Sequence, residues 1–239
     1  MHLFVLLISL TFTFSAFASN NAIFDSYRMQ LRQMTLKNHH PLNNYGEARV
    51  HLFGTLHLKR DSKGYYVQDV YCGTKYRKKV GPGSVPNHEQ VNTEHTWPQS
   101  RFNRGENKYH QKADLHHLFP TDSRANSTRG NYNFADLNGG RSAHSGCPLS
   151  QVGTIPGTSR DGFEPPEAHK GNVARALFYF SLRYDIPIAD FEEIVLRQWN
   201  WLDPVDDEER ARNAAIELIQ GNRNPFVDDA DLAELISDF

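Results

Sequence analysis

Val91-Asn92-Thr93-Glu94-His95-Thr96-Trp97-Pro98 and, further on, Asp114-Leu115-His116-His117-Leu118-Phe119-Pro120 leading into Thr121-Asp122-Ser123-Arg124-Ala125-Asn126-Ser127-Thr128-Arg129-Gly130-Asn131-Tyr132 gather the side chains most able to do chemistry. Thr121 or Asp122 is placed to N-cap a short helix, which puts Asn126 in its first turns. Asn is a poor residue for a helix interior, so Asn126 calls for a reason. One is a side-chain carbonyl aimed at a hard cation; the other is a solvent-facing or backbone-bonded amide. Successive strand residues point to opposite faces, so Glu94 and His95 work as a pair only where a strand runs out into a loop. A carboxylate, a base of near-neutral pKa and an oxygen ligand together suit metal-assisted hydrolysis.

Outward from this stretch, residues 22–36 and 45–56 carry helical spacing, the second through Tyr45, Ala48, Leu52 and Leu56. Residues 64–71 are rich in β-formers after a Ser-Lys-Gly turn, and the stretch before Glu94 is the expected partner strand. From Gly73 to Arg160 the chain is rich in Gly, Pro, Asn and Ser, and long loops are expected there beyond a short helix near Asp122–Tyr132. Three apolar helical stripes close the chain: Val173, Leu177, Phe180 and Tyr184; Phe191, Ile194, Val195 and Trp199; and Ala211, Ala215, Leu218 and Ile219, the last stopped by Gly221. These read as core. No repeat or flexible linker interrupts them, so the expectation is one α+β domain, mainly helical around a small irregular β-centre.

With 239 residues, 38% hydrophobic and 23% charged, the composition excludes disorder, collagen-like repeats and disulfide-dense miniproteins. Residues 3–17 form an apolar run shorter than the roughly 20 residues of a membrane span, followed by Ala16-Phe17-Ala18. It reads as a signal peptide over residues 1–18 with the functional domain at 19–239, exported and free of the membrane after cleavage. The alternative is a retained anchor, since Met1-His2 supplies no basic residue. The only cysteines, Cys72 and Cys147, are then candidates for a disulfide, with two buried thiols as the alternative. Their wide separation argues against a zinc site. The net charge of −2 is uneven: residues 201–239 carry a net −8 and the remainder a net +6. A basic body with Lys75, Arg77, Lys78 and Lys79 clustered suits a polyanion, or is simply a solvated face. His39, His40, His51, His57 and His144 read as surface or satisfied core residues, and Trp97 as core.

The run from Glu94-His95 through Pro98, then Asp114-Leu115-His116, Leu118, Pro120, Asn126, Arg129, Gly130-Asn131 and Phe134, resembles the endonuclease I family of secreted bacterial nucleases with a ββα-metal (His-Me finger) active site. Glu164-Pro165-Pro166, Val173-Ala174-Arg175-Ala176 and Gln220-Gly221-Asn222-Arg223-Asn224-Pro225-Phe226-Val227 extend the likeness to about Ala22–Asp228. The resemblance implies a small ββα-metal core, His95 as general base, and Glu94 and Asn126 holding one Mg²⁺. It implies monomeric, largely sequence-nonspecific cleavage of DNA and RNA in the periplasm or external medium, leaving 5′-phosphates. Asp114 and His116 are supporting candidates. His117, Arg104, Lys108 and Arg129 are candidates for supporting the site or contacting substrate. Two rival readings belong to other classes: a non-catalytic nucleic-acid-binding module, and a metal-dependent phosphodiesterase for small or lipid substrates.

Overall fold

The computed structural model describes residues 23–239, and the signal segment expected at 1–18 lies outside the described residues. Helix α1 spans residues 23–36. Helix α2, Tyr45–His51, runs on into a π-helical turn, Leu52–Leu56, and Asn44 caps it by accepting from the Glu47 amide. Both follow the spacing read from the sequence. A small antiparallel sheet comes next, β1 Lys59–Asp61, β2 Gly64–Gln68 and β3 Lys75–Tyr76.

The stretch before Glu94 does not pair with β2 as expected. Strand β4, Val91–His95, pairs antiparallel with β5, Leu118–Asp122, in a register from Val91↔Asp122 to His95↔Leu118. Packing gives the reason. All five residues of β5 are buried, whereas β2 buries only Val67, so β5 offers β4 the better apolar neighbour. Between these strands lie helix α3, Lys108–Ala113, and a 3₁₀ turn, Leu115–His117. Helix α4, Ser123–Arg129, follows β5 at once, with Asp122 as its N-cap accepting from the amides of Arg124 and Ala125.

The region expected as long loops holds more order than its composition suggests. Strands β6 Asn133–Phe134, β7 Arg141–His144, β8 Cys147–Thr154 and β9 Asp161–Glu164 build a sheet in the order β6-β9-β8-β7, with β6 parallel to β9. Most of these strands are too short, or too broken by glycine and a register shift at Ser142/His144, to display a period of two. The Cys72–Cys147 disulfide, with its Cα atoms 4.6 Å apart, fastens the loop after β2 to the start of β8.

Helix α5, Lys170–Tyr184, is buried at every residue except Asn172, and the larger core gathers around it. Helix α6, Asp190–Leu202, buries Leu196 and Trp199 but leaves Ile194 69% exposed, so its stripe is displaced from the one expected. Helix α7, Asp207–Gln220, departs further: Leu218 is 89% exposed, and the buried face is Glu209, Arg212, Asn213, Ile216 and Gln220. These polar groups have buried partners. Arg212 donates to the carbonyls of Leu115 and Leu118, and Gln220 accepts from the Leu115 amide and donates to Asp114. Hydropathy periodicity cannot register a face held by hydrogen bonds. Gly221 ends α7 at φ +81°, where a Cβ would collide with the Asn38 carbonyl, so the stop read from the sequence also has a steric basis.

Candidate active site

Strand alternation sends Glu94 and His95 to opposite sides of β4, and because the strand ends at His95 both still line one cleft of about 310 Å³. Asn126 on α4 and Tyr45, Gln99 and Asn131 complete much of its wall. Glu94 is buried. Its Oε1 accepts from the Tyr71 hydroxyl at 2.9 Å and lies 3.1 Å from Arg129 Nη1, while Oε2 has no hydrogen-bond partner among the described residues. Burial raises the Glu94 carboxyl pKa above its ordinary value, opposed by the Arg129 guanidinium and the Tyr71 hydrogen bond. A buried, unpartnered carboxylate oxygen is costly to leave alone, and a hard cation is a chemically fitting partner for it.

The His95 ring packs against those of Tyr45 and His117, each centroid 5.4 Å away. Nε2 is 3.1 Å from the Lys112 carbonyl, and since a carbonyl only accepts, Nε2 carries the proton. The lone pair is therefore on Nδ1, towards which Gln99 Nε2 donates at 3.4 Å. Burial, followed by the neighbouring His117, holds the imidazole pKa well below its ordinary value. His95 is thus a neutral base with a fixed tautomer.

Asn126 is backbone-bonded, one of the readings left open by the sequence. Its Nδ2 donates to the Thr93 carbonyl at 3.2 Å, which ties α4 to β4, and the residue lines the cleft with Oδ1 outside that bond. Arg129, 2% exposed, donates to the carbonyls of His95 and Thr96 as well as facing Glu94. Its Nη1 and Nη2 brace the end of β4, while Nε has no hydrogen-bond partner among the described residues and the side chain also lines the cleft.

Asp114, His116 and His117 are all buried behind the cleft and line none of it. Asp114 accepts from Tyr179, Tyr184, Gln220 and the His116 amide, fixing the 3₁₀ turn to α5 and α7. Burial opposes ionisation of Asp114, yet the surrounding histidines and the Gln220 hydrogen bond hold its pKa below the ordinary value. His116 donates to the Asn222 carbonyl and His117 to the Gln111 carbonyl, so His117 acts on His95 through ring packing. Arg104 and Lys108 line a neighbouring pocket with Tyr109 and Lys112, and this pocket shares Gln99 and Ser100 with the cleft. Sequence reasoning missed Tyr71, Gln99 and the Lys112 carbonyl. Tyr71 read only as a β-former, and a backbone oxygen has no signature in a sequence.

Three metal-capable side chains, Cys72, His144 and Cys147, cluster elsewhere, but the disulfide occupies both sulfurs in this form.

The family model described as Endonuclease I matches residues 24–231. The chain is 36% identical over 187 residues to an extracellular ribonuclease of Bacillus subtilis (strain 168), a match spanning 70% of this chain and 60% of that protein. It is 30% identical over 167 residues to an extracellular deoxyribonuclease of Aeromonas hydrophila, spanning 66% of this chain and 72% of the relative. Endonuclease-1 of Buchnera aphidicola subsp. Acyrthosiphon pisum (strain APS) is 28% identical over 171 residues, spanning 65% and 64%. The match thus covers less than two thirds of the Bacillus relative's length.

Proposed function

From the premise that the chain belongs to the endonuclease I family, we propose that it is an exported, Mg²⁺-dependent endonuclease acting on DNA and RNA with little base preference. The observation that carries this reading is the pairing, in one cleft, of the proton-accepting Nδ1 of His95 with the unpartnered buried Oε2 of Glu94. Relatives named as ribonuclease and as deoxyribonuclease both support a substrate range that includes RNA and DNA. Residues 1–18 act as the signal peptide, residues 19–239 as the monomeric enzyme, and the site of action is the periplasm or the external medium.

Glu94 Oε2 and the Oδ1 of Asn126 would hold one Mg²⁺, which when bound would supply positive charge to offset the negative charge that builds up during phosphodiester cleavage. His95 Nδ1 takes a proton from the water that attacks phosphorus, and the Lys112 carbonyl keeps the ring in the tautomer that can accept it. Breaking the P–O3′ bond leaves a 5′-phosphate. Arg129 and Tyr71 hold the Glu94 carboxylate in place. Arg104, Lys108 and Lys112 present positive charge beside the cleft, where backbone phosphates carry no base information.

The test is digestion of plasmid DNA and of RNA by the purified chain, with Mg²⁺ or with EDTA, beside His95→Ala. The variant is expected to lose on the order of 10² to 10⁴ in rate and to keep DNA binding. Near-normal turnover by the variant would remove His95 from the mechanism, and no nicking by the parent in Mg²⁺ would favour the non-catalytic binding module.

A further inference from the structure

The disulfide has a third member. His144 ends β7 directly across the hairpin from Cys147, in the register His144↔Cys147. Its Nε2 lies 3.7 Å from Cys72 Sγ and 3.0 Å from an Asp122 carboxylate oxygen. Ligand atoms of Cys72, His144 and Cys147 all fall within 4.8 Å of one another. The sequence argues against zinc because 75 residues separate the cysteines. The fold removes that objection by closing the gap and adding an imidazole.

We propose that in the thiol form Cys72, His144 and Cys147 bind one Zn²⁺, which replaces the disulfide as the cross-link between the loop after β2 and the β7–β8 hairpin. Tetrahedral zinc, with Zn–S of about 2.3 Å and Zn–N of about 2.0 Å, sets sulfur and nitrogen about 3.6 Å apart, close to the spacing already present. That spacing is the one between Cys72 and His144; with all three ligand atoms within 4.8 Å, side-chain rotation once the S–S bond is open brings both sulfurs to a similar distance from each other and from the imidazole. Cys72 is half-buried at the edge of the core, whereas Cys147 is fully buried and holds the site's inner edge.

In the disulfide form His144 Nε2–H donates to Asp122, and Nδ1 accepts from the Gly146 amide. Coordination through Nε2 moves the ring proton to Nδ1, so the Gly146 hydrogen bond gives way to a metal bond. Asp122 keeps its capping bonds to α4 and its bond from Tyr76, and its negative charge faces the cation. Asp122 or water fills the fourth position. Oxidation by an external disulfide empties the site: the two thiolates give up two electrons and join, the oxidant's S–S bond breaks, and its sulfurs leave as thiolates that take two protons from water. Zn²⁺ departs with its charge unchanged.

The proposal is independent of the nuclease reading, because Glu94 and Asn126 offer no sulfur. The purified chain, reduced with a phosphine and freed of metal, would be titrated with Co²⁺. Thiolate-to-cobalt charge-transfer absorption with tetrahedral visible bands is expected, saturating at one ion per chain and bleached by one equivalent of Zn²⁺. The disulfide form should show neither. His144→Ala is expected to weaken Co²⁺ binding by about tenfold or more, and Cys72→Ser to abolish the charge-transfer band. Zn²⁺ should also raise the melting temperature of the reduced chain by clearly more than that of the disulfide form. Absence of the band in the reduced chain, equal Co²⁺ affinity in His144→Ala, or a rise in melting temperature no larger than that of the disulfide form would each overturn the assignment.

Discussion

Replacing Tyr71 with Phe removes a single oxygen atom from a fully buried side chain, and with it the 2.9 Å hydrogen bond to Glu94 Oε1. Burial, then the adjacent Glu94 charge, pushes the phenol pKa well above its ordinary value, so the hydroxyl stays protonated and remains a donor at any working pH. A hydrogen bond to a charged group is worth roughly 1.5–3 kcal/mol, and the ring that remains fills nearly the same space, so that range is the expected loss of stability. Arg129 still faces Oε1, which keeps the loss below the roughly 3–5 kcal/mol of breaking a buried ion pair. The Glu94 carboxylate is then less firmly oriented and harder to ionise, because the missing bond was one of the groups lowering its pKa. Outer partners of metal ligands are typically worth about 10–100-fold in metal affinity; with Arg129 still in place, about tenfold is expected. The assay is the Mg²⁺ concentration giving half-maximal plasmid nicking, run beside urea unfolding in EDTA. Tyr71→Phe should shift the Mg²⁺ midpoint about tenfold upward and keep its plateau rate, since His95 is untouched. A variant that loses stability at an unchanged Mg²⁺ midpoint would show that Glu94 holds no metal.

Reduction of Cys72–Cys147 opens a loop of 75 residues' separation, for which chain entropy gives a loss of roughly 4 kcal/mol, measured as a fall in the urea midpoint of the reduced, metal-free chain. The fold should also weaken in mild acid. Burial lowers the pKa of His116 and His117 to about 4 and of His169 to about 3, whereas an unfolded histidine titrates near 6.5. Above about pH 6.5 both states are neutral; below it the unfolded chain takes up protons first, so stability falls as pH drops towards about 4, by up to roughly 1.4 kcal/mol per pH unit for each histidine. Urea midpoints that stay flat from pH 7 to 4.5 would refute this. Finally, neutralising Arg104, Lys108 and Lys112 together should flatten the salt dependence of DNA binding, with the slope of log K against log salt falling by roughly 0.9 for each phosphate that the protein no longer neutralises. Neutralising Lys78 and Lys79 should leave the slope unchanged, because neither lines the cleft or its neighbouring pocket.

The part of the molecule legible from residue order is the part governed by local rules. Asp122 caps a helix because its side chain reaches amides two and three residues on, so the start of α4 and the position of Asn126 follow from neighbours in sequence. The stripe through Val173, Leu177, Phe180 and Tyr184 repeats over enough turns to define α5, and Gly221 stops α7 through its own backbone freedom. The ordered series of motifs from Glu94-His95 through Asp114-Leu115-His116 to Phe134, continued by Glu164-Pro165-Pro166 and residues 220–227, indicated the family. What the tertiary structure decided depends on partners distant in the chain. Strand β4 paired with β5 rather than with β2, which lies equally far off along the chain, because burial rewards a fully covered neighbour. The polar face of α7 is buried against Asp114 and the carbonyls of Leu115 and Leu118, groups about a hundred residues earlier, where hydropathy has no signal. The Lys112 carbonyl that fixes the His95 tautomer and the Tyr71 hydroxyl that steadies Glu94 reach their targets only after the chain has folded back. The same return of the chain sets His144 beside two cysteines that sequence separation alone argued could share no metal. Spacing along a chain reports neighbours within a helix turn or a strand pair, whereas a site drawn from five segments exists only once burial has brought them together.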